Sequence, residues 1–264
     1  MLKIEKLNKI FHPGTAMENH VLHDLTLHLA PGDYVTVIGG NGAGKSTLLS
    51  SVAGTFPPDS GSISIDGIDV THLPEYKRAI HFGRVFQDPT SGTAANMNIE
   101  ENLALAYRRG KTRSLGWYIS NKERILYRER LSILGLGLEN RLADKVGLLS
   151  GGQRQALTLL MATLKEPRVL LLDEHTAALD PKTAPRVLEI GDQLIKAHGL
   201  TTMMVTHNMK DAIRHGNRLI MMSSGRIVLD IAGEEKKNLT VKDLIAKFHQ
   251  VSGQEFAHDQ TLLG

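Results

Sequence analysis

A glycine-rich loop between a predicted strand and a predicted helix constrains this chain more than any other part of its sequence. The strand is the β-branched run at 34–38, and apolar residues continue at helical spacing over 45–52. Glycines let backbone N–H groups surround a phosphate, and a helix N-terminus adds the positive end of its dipole. The loop matches G-x-x-x-x-G-K-[ST], which predicts a nucleotide phosphate site formed by Gly39, Gly40, Asn41, Gly42, Ala43, Gly44, Lys45, Ser46 and Thr47.

The same pattern assigns roles within the loop. Lys45 is expected to reach the β- and γ-phosphates of a nucleoside triphosphate, and the Ser46 hydroxyl is expected to hold Mg²⁺. A second motif complements it, because the apolar run 169–172 ends in two carboxylates, Asp173 and Glu174. Open α/β sheets place ligands at the carboxyl ends of their strands. Asp173 is therefore predicted to orient Mg²⁺, and Glu174 to polarise the water that attacks the γ-phosphate.

The order of predicted elements favours an α/β fold. Alternating apolar residues predict strands over 2–11 and 21–29, and Gly67 marks the turn of a hairpin within 61–70. The pattern over 88–164 is helical. It is followed by strands at 169–172, 201–205 and 218–222, with helices near 185–198 and 209–215 between them. This alternation predicts a mainly parallel sheet covered by helices, with a separate antiparallel β part near the N-terminus.

Composition excludes several classes of protein. The chain has 264 residues, 41% of them apolar and 22% charged, which is ordinary for a globular protein and unlike a disordered or collagen-like chain. No apolar run approaches the roughly 18 residues of a membrane span, and the charged N-terminus is unlike a signal peptide. With no cysteine, disulfide scaffolds, thiolate nucleophiles and zinc fingers are excluded. The twelve histidines are scattered, which favours a solvated surface over a metal site.

A third motif, Leu149-Ser150-Gly151-Gly152-Gln153, opens an apolar helical stretch. A serine and two glycines at a helix start provide free N–H groups and a hydroxyl for an anion. The pentapeptide resembles the signature of ATP-binding-cassette (ABC) ATPases. The resemblance implies a P-loop NTPase of the RecA-like type that pairs head to tail, so that the signature of each copy closes over the ATP held by the other.

The resemblance extends to four further positions at the order and spacing of that family. By the resemblance, Gln87 senses Mg²⁺ and the attacking water and Asp180 contacts the partner cassette. His207 contacts the γ-phosphate, and Phe11 stacks on adenine. Since every motif is intact, the resemblance implies a homodimer with two working sites.

The sequence departs from the family pattern at two positions. His175 replaces the usual proline after the catalytic glutamate, which is expected to place a titratable ring near the water site. At the adenine position, Phe11 replaces the more common tyrosine and keeps the stacking surface. Neither departure removes a catalytic group.

The resemblance divides the chain into one nucleotide-binding domain, 1–249, and a tail, 250–264. The domain has a core of about 1–87 and 165–249 and a helical insert of about 88–164 that docks under membrane subunits in the family. Basic residues cluster in the insert between Arg108 and Arg130. An acidic coupling helix or anionic lipid is one expected neighbour, and a plain solvated face is the alternative. Nucleic acid is not expected, because the aromatic residues of this segment are few: Tyr107, Trp117, Tyr118 and Tyr127.

The resemblance implies the ATPase subunit of a transporter at the cytoplasmic face of the membrane, working with a separate permease. Stretches around Gln87, Asn102 and Glu174 resemble a bacterial importer subfamily that uses a lipid-anchored solute-binding protein. Some of its members are assigned to tryptophan or tyrosine. The alternatives are an efflux or lipoprotein-release engine with the same chemistry, and a non-transport ABC ATPase acting on ribosomes or DNA.

Overall fold

A six-stranded sheet forms the centre of the computed structural model, which describes residues 1–110 and 119–252. Its strands are β3 (Tyr34–Ile38), β6 (Phe82–Val85), β7 (Val169–Asp173), β8 (Thr201–Val205), β9 (Arg218–Ser223) and β10 (Arg226–Ala232). Their order across the sheet is β10-β9-β3-β8-β7-β6, and all pairs except β10–β9 are parallel. The predicted, mainly parallel sheet is thus confirmed.

A second sheet has four antiparallel strands in the order β2-β1-β4-β5. These strands are β1 (Leu2–Phe11), β2 (Asn19–Leu29), β4 (Ser60–Ile65) and β5 (Ile68–Asp69). This is the antiparallel β part that the sequence predicts. It packs against helix α1 (Lys45–Ala53), which follows the glycine-rich loop.

Most of the remaining helices cover the face of the large sheet opposite α1. They are α2 (Glu75–Arg78), α3 (Ile99–Tyr107), α4 (Asn121–Ser132), α5 (Gly151–Thr163), α6 (Thr183–His198), α7 (Met209–Arg214), α8 (Gly233–Lys237) and α9 (Val241–Ser252). Two 3₁₀ turns, Leu138–Asn140 and Val146–Leu148, lie between α4 and α5. Within the described ranges, no helix is long and apolar enough to cross a membrane.

Strand β7 shows why the central strands are continuous apolar runs. Successive side chains of a strand point to opposite faces of the sheet. Leu170 and Leu172 pack in the cluster formed with α3, α4 and α5, whereas Val169 and Leu171 pack with α1 and the antiparallel sheet. Both faces are covered, so every position before Asp173 is apolar and buried.

Several elements were not predicted from the sequence: β6, β10, α2, α8 and α9. The predicted C-terminal tail begins at 250, but α9 continues to Ser252. Residues 253–264 of that tail lie outside the described part of the chain, as do Lys111, Arg113, Trp117 and Tyr118 of the basic segment. The division into core and insert remains a prediction.

Candidate functional site

The candidate site lies at the carboxyl edge of the large sheet. Val37 of β3 is opposite Val205 of β8, and Val205 is opposite Asp173 of β7, so the three strands end at the same level. Backbone hydrogen bonds continue this alignment, since Glu174 N–H donates to Val205 O and Thr206 N–H donates to Val37 O, at 3.0 and 3.1 Å. The glycine-rich loop, the two carboxylates and the predicted histidine therefore share one edge.

The glycine-rich loop wraps closely around its lysine. Lys45 is 5% exposed, and its Nζ donates to the carbonyl oxygens of Gly39 and Gly40 at 2.8 and 3.0 Å. Gly39 has a φ of 151°, and a Cβ there would lie 2.3 Å from the carbonyl oxygen of Met222. Only glycine fits this approach between the loop and β9. The ammonium group is thus held inside the loop, where a phosphate would add negative charge.

Ser46 and Asp173 form a pair of oxygen donors beside the loop. The Ser46 hydroxyl donates to Asp173 Oδ1 at 3.4 Å, and the other carboxylate oxygen, Oδ2, lies 3.7 Å from a guanidinium nitrogen of Arg84. Hydroxyl and carboxylate oxygens are the ligands that Mg²⁺ prefers. The donor set at this edge therefore fits Mg²⁺.

Glu174 and His207 are in direct contact. Glu174 Oε1 lies 2.6 Å from His207 Nε2, and the Glu174 side chain is 11% exposed. The backbone of Glu174 has a φ of 45°, a left-handed conformation that is uncommon for residues other than glycine. Such strain is often found at functional sites, and here it turns the chain out of β7 so that the carboxylate faces the end of β8.

Gln87 follows β6 at the same edge of the sheet and is exposed. The preceding residue is tied to the signature helix, because Gln155 of α5 donates from Nε2 to the Phe86 carbonyl oxygen at 3.1 Å. Gln155 is fully buried, and its Oε1 has no hydrogen-bond partner. Sequence reasoning missed Gln155, although a polar residue on the buried face of an apolar helix is a signal for such a contact.

The predicted signature forms the start of α5. Ser150 caps the helix: its hydroxyl accepts from Gln153 N–H, and the Gln153 side chain accepts from Ser150 N–H. Gly152 packs so tightly that a Cβ there would lie 2.0 Å from Thr183 Cγ2. The exposed Asp180 accepts a hydrogen bond from the Thr183 hydroxyl at 2.6 Å, which lowers the pKa of Asp180. Signature and Asp180 loop thus form one surface.

Phe11 ends β1 and is partly exposed. It packs edge-on against Phe56, with ring centroids 5.3 Å apart. Lys9 Nζ lies 5.6 and 5.5 Å from the two ring centroids and donates to the Pro57 carbonyl oxygen at 3.0 Å. The aromatic pair is therefore held in place by its neighbours, and its role toward adenine remains a prediction.

His175 directly follows Glu174, and its side chain is buried. The residue is 2% exposed, and burial lowers the pKa of its imidazole to about 4, with His215 adding to the effect. Nearby, His215 Nδ1 lies 2.7 Å from Asp192 Oδ2. The ring of His175 is thus a buried group that is neutral at pH 7.

Several arginines of the basic segment between Arg108 and Arg130 are paired with groups inside the proposed insert. Arg108 pairs with Glu123 at 3.2 Å, and Arg124 pairs with Glu100 at 2.7 Å. Arg109 donates to the Ala162 carbonyl oxygen at 3.3 Å. These three arginines stabilise the packing of α3, α4 and α5, so they do not form a plain solvated face.

Comparison with known proteins identifies relatives over most of the chain. The sequence profile of the ABC transporter family matches residues 22–177. The tyrosine transport ATP-binding protein of Clostridioides difficile (strain R20291) is 45% identical over 248 residues, which cover 94% of this chain and 98% of that protein. The thiamine import ATP-binding protein ThiQ of Yersinia pseudotuberculosis is 34% identical and covers 87% of this chain and 89% of its own length.

Solved structures show the same fold. The dimeric ATP-binding cassette MJ0796 in a post-hydrolysis state with ADP and Pi superposes with a TM-score of 0.74 at 26% identity. That match covers 88% of this chain and 98% of the other. The ADP conformation of the cassette MJ1267 superposes with a TM-score of 0.77 at 25% identity, covering 94% and 98% of the two chains. The fold of this chain is therefore the P-loop NTPase fold of these cassettes.

Proposed function

Because the chain belongs to the ABC transporter family, we propose that it is the ATP-hydrolysing subunit of a transporter that imports a solute through a separate permease. One observation carries the proposal: the buried Lys45, the Ser46–Asp173 pair and the Glu174–His207 pair meet at one edge of the sheet. Phosphoryl transfer to water requires three groups close together: a loop that binds the phosphates, oxygen ligands for a metal ion, and an oriented carboxylate.

The nucleotide would bind along the loop 39–47. Its backbone N–H groups and the Lys45 ammonium would surround the phosphates, and Phe11 would stack on the adenine. Ser46, Asp173 and Gln87 would hold Mg²⁺, which when bound neutralises phosphate charge. The oxygen donors on Ser46 and Asp173, 3.4 Å apart, support this assignment.

Hydrolysis would depend on Glu174 and His207. The Glu174 carboxylate would accept a proton from the attacking water as a general base. His207 would contact the γ-phosphate, and its 2.6 Å contact orients the carboxylate before the nucleotide binds. The chain would therefore hold its base in place with a residue that also meets the substrate.

The active form would be a head-to-tail homodimer. The signature of each copy would close over the ATP of the second copy through Ser150, Gly151, Gly152 and Gln153. Asp180 would contact that second copy. Two observations support this assignment. The signature and the Asp180 loop form one surface, and the adjoining Leu148 is 73% exposed, as expected for an apolar residue that a partner covers.

The permease would dock on the helical insert and the adjacent α2. Exposed apolar side chains are present there, with Tyr76 at 74%, Ile80 at 54%, Leu105 at 47% and Ile125 at 55% exposure. Apolar exposure of this kind marks interaction surfaces. The chain would then lie at the cytoplasmic face of the membrane, without a role in nucleic-acid binding.

An amino acid is the proposed cargo, and a lipid-anchored solute-binding protein is a proposed third partner. The support is the 45% identity to a tyrosine transport ATP-binding protein over 94% of this chain. ATP would close the cassette dimer, closure would move the permease, and hydrolysis would reopen the dimer.

The test is purification of the tagged chain from its native membranes, followed by mass spectrometry of the co-purifying proteins. The importer proposal expects a polytopic permease and a lipid-anchored binding protein in stoichiometric amounts. A Tyr76→Asp/Ile80→Asp variant, which places charge on the proposed docking surface, is expected to lose the permease and keep ATP binding. A Met17→Asp variant is the matched control, because Met17 is exposed apolar surface on the β1–β2 connection.

Other outcomes would overturn parts of the proposal. Co-purification of a permease without any binding protein would favour the efflux or lipoprotein-release alternative. Ribosomal or DNA-repair proteins in place of a permease would remove the transport assignment and leave the ATPase chemistry.

A further inference from the structure

Arg84 connects three parts of the candidate site. It lies on β6, directly before the segment that leads to Gln87, and donates to Ser50 Oγ and Thr55 Oγ1 at 3.1 and 2.9 Å. Ser50 belongs to α1, the helix that begins at Lys45. The guanidinium also lies 3.7 Å from Asp173 Oδ2. One side chain thus joins the phosphate-loop helix to the carboxylate at the end of β7.

The arginine is fixed rather than mobile. Its side chain is 15% exposed, the same fraction as that of Asp173. The guanidinium lies 4.7 Å from the centroid of the Phe86 ring, and this cation–π contact restricts its orientation further. An arginine retains its charge at any pH at which the protein is folded. A permanent positive charge therefore lies beside Asp173, the carboxylate proposed to meet the metal.

The two oxygens of Asp173 face different groups. Oδ1 is 3.4 Å from the Ser46 hydroxyl, and Oδ2 is 3.7 Å from Arg84. A mostly buried carboxylate is costly without a partner, and the Arg84 guanidinium lies within ion-pair distance of this one. A divalent ion at Asp173 would share the carboxylate with this guanidinium, and like charges at such separation repel.

We propose that Arg84 is a positioning residue that balances the charge of Asp173 in the metal-free site and thereby weakens the binding of Mg²⁺ with its nucleotide. The inference rests on the proposed function, because it assumes that Asp173 meets the metal. By this proposal Arg84 keeps metal binding reversible. The metal–nucleotide product dissociates more readily because the guanidinium can pair with Asp173 once the metal leaves.

The test measures metal affinity directly rather than activity. Mn²⁺ serves as the probe, and its binding to the full chain, saturated with a non-hydrolysable ATP analogue, is followed by electron paramagnetic resonance. The Arg84→Gln variant is expected to bind Mn²⁺ about tenfold more tightly, the order of magnitude for a partly screened charge pair. Arg84→Lys keeps the charge and is expected to stay near the wild-type affinity.

A second measurement separates charge from structural support. Binding of the ATP analogue in excess EDTA should change less than about twofold in Arg84→Gln, because the phosphate loop itself is intact. A Thr55→Ala variant loosens the arginine without removing its charge, and is expected to bind Mn²⁺ as the wild type does. Far-UV circular dichroism checks that each variant is folded.

The possible failures are distinguishable. Unchanged or weaker Mn²⁺ binding in Arg84→Gln overturns the inference, as does an equal loss of nucleotide affinity with and without metal. If the wild-type chain itself shows no metal-dependent nucleotide binding, the proposed function fails instead.

Discussion

Glu174 Oε1 and His207 Nε2 lie 2.6 Å apart at the carboxyl edge of the large sheet. The two residues come from the ends of neighbouring strands, β7 and β8, and the left-handed backbone of Glu174 turns its carboxylate toward the imidazole. A carboxylate held at that distance is an oriented acceptor rather than a freely rotating one. The pair therefore fixes where a water could lose its proton in the proposed site.

Replacing the carboxylate tests this arrangement. Glu174→Gln keeps the size of the side chain and a hydrogen-bond partner for His207, but removes the base. We expect ATP binding to remain and the rate of hydrolysis to fall by at least about 100-fold. An ATP-bound dimer should accumulate, which size-exclusion chromatography with MgATP would detect.

A surface glutamate provides the control for this substitution. Glu166 pairs with His198 at 3.1 Å, but its side chain is 63% exposed and lies in the connection before β7. Glu166→Gln should hydrolyse ATP as the wild type does. Normal turnover in Glu174→Gln would show that another group is the base.

Ser150 tests whether the signature acts across subunits. Ser150→Arg places a bulky cation on the exposed start of α5, where the proposal puts the partner's nucleotide. We expect hydrolysis to fall by about 100-fold while the monomer binds ATP normally. In a Glu174→Gln background the same change should prevent the ATP-bound dimer, as seen by size-exclusion chromatography.

The loss of the helix cap needs its own control, because removing such a cap costs about 1 kcal/mol. Ser150→Ala loses the cap without adding bulk, so it should retain the ATP-bound dimer. If Ser150→Arg abolished ATP binding by the monomer, the signature would act within its own chain.

Gly152 offers a test of packing between the signature and the Asp180 loop. A Cβ at 152 would lie 2.0 Å from Thr183 Cγ2, so Gly152→Ala should displace the start of α5 and reduce hydrolysis. Thr183→Ser removes that methyl group and keeps the hydroxyl that donates to Asp180. The double variant should regain most of the ATPase rate.

The neighbouring glycine is the matched control for this series. A Cβ at Gly151 would meet only Leu179 Cδ2 at 3.5 Å, an ordinary contact, so Gly151→Ala should be milder. Equal rates for Gly152→Ala alone and with Thr183→Ser would show that the collision does not limit activity.

Long apolar runs explain how much of the fold was predictable. β3, β7 and β8 are largely buried on both faces, so apolar and β-branched residues dominate their sequences and identify them as strands. β6 has only four residues, including Gly83 and Arg84, which interrupt that pattern. β10 is an edge strand with mixed exposure, and α8 begins at a glycine and is mostly charged. Their burial depends on neighbours that the local sequence does not reveal.

The site was predictable to the level of motifs but not of contacts. The loop at Lys45 and the carboxylates after β7 follow from residue type and spacing. The link from Gln155 to the Phe86 carbonyl oxygen joins residues 69 positions apart, so only the packing of α5 on β6 creates it. The burial of the His175 ring likewise depends on residues far along the chain, Asp192 of α6 and His215 after α7, which the local sequence does not reveal.

The buried Lys236 is expected to make the stability of the fold depend on pH. It is 3% exposed, and its Nζ donates to the carbonyl oxygens of His215 and Gly216, the latter at 2.9 Å. Burial lowers the pKa of Lys236 from 10.5 to about 8, although Asp192 opposes the shift. At pH 7 the folded chain therefore carries an ammonium group that burial disfavours.

The sign of the pH effect follows from proton counts. Between pH 8 and 10.5 the unfolded chain keeps the Lys236 proton that the folded chain releases, so deprotonation stabilises the fold as the pH rises. Lys236→Met lacks this titration. We expect the free energy of unfolding of the wild type to increase relative to Lys236→Met between pH 7.5 and 9.5, by up to about 2 kcal/mol.

Urea unfolding of the nucleotide-free chain at pH 7.5, 8.5 and 9.5 measures this difference. Lys237→Met is the control, because that neighbouring lysine side chain is 70% exposed and pairs with Glu234 at the surface. Its unfolding free energy should follow the wild type at all three pH values. If the difference in unfolding free energy between the wild type and Lys236→Met stayed the same at all three pH values, the buried ammonium would have its ordinary pKa. Its two carbonyl partners at the end of α7 would then compensate fully for its burial.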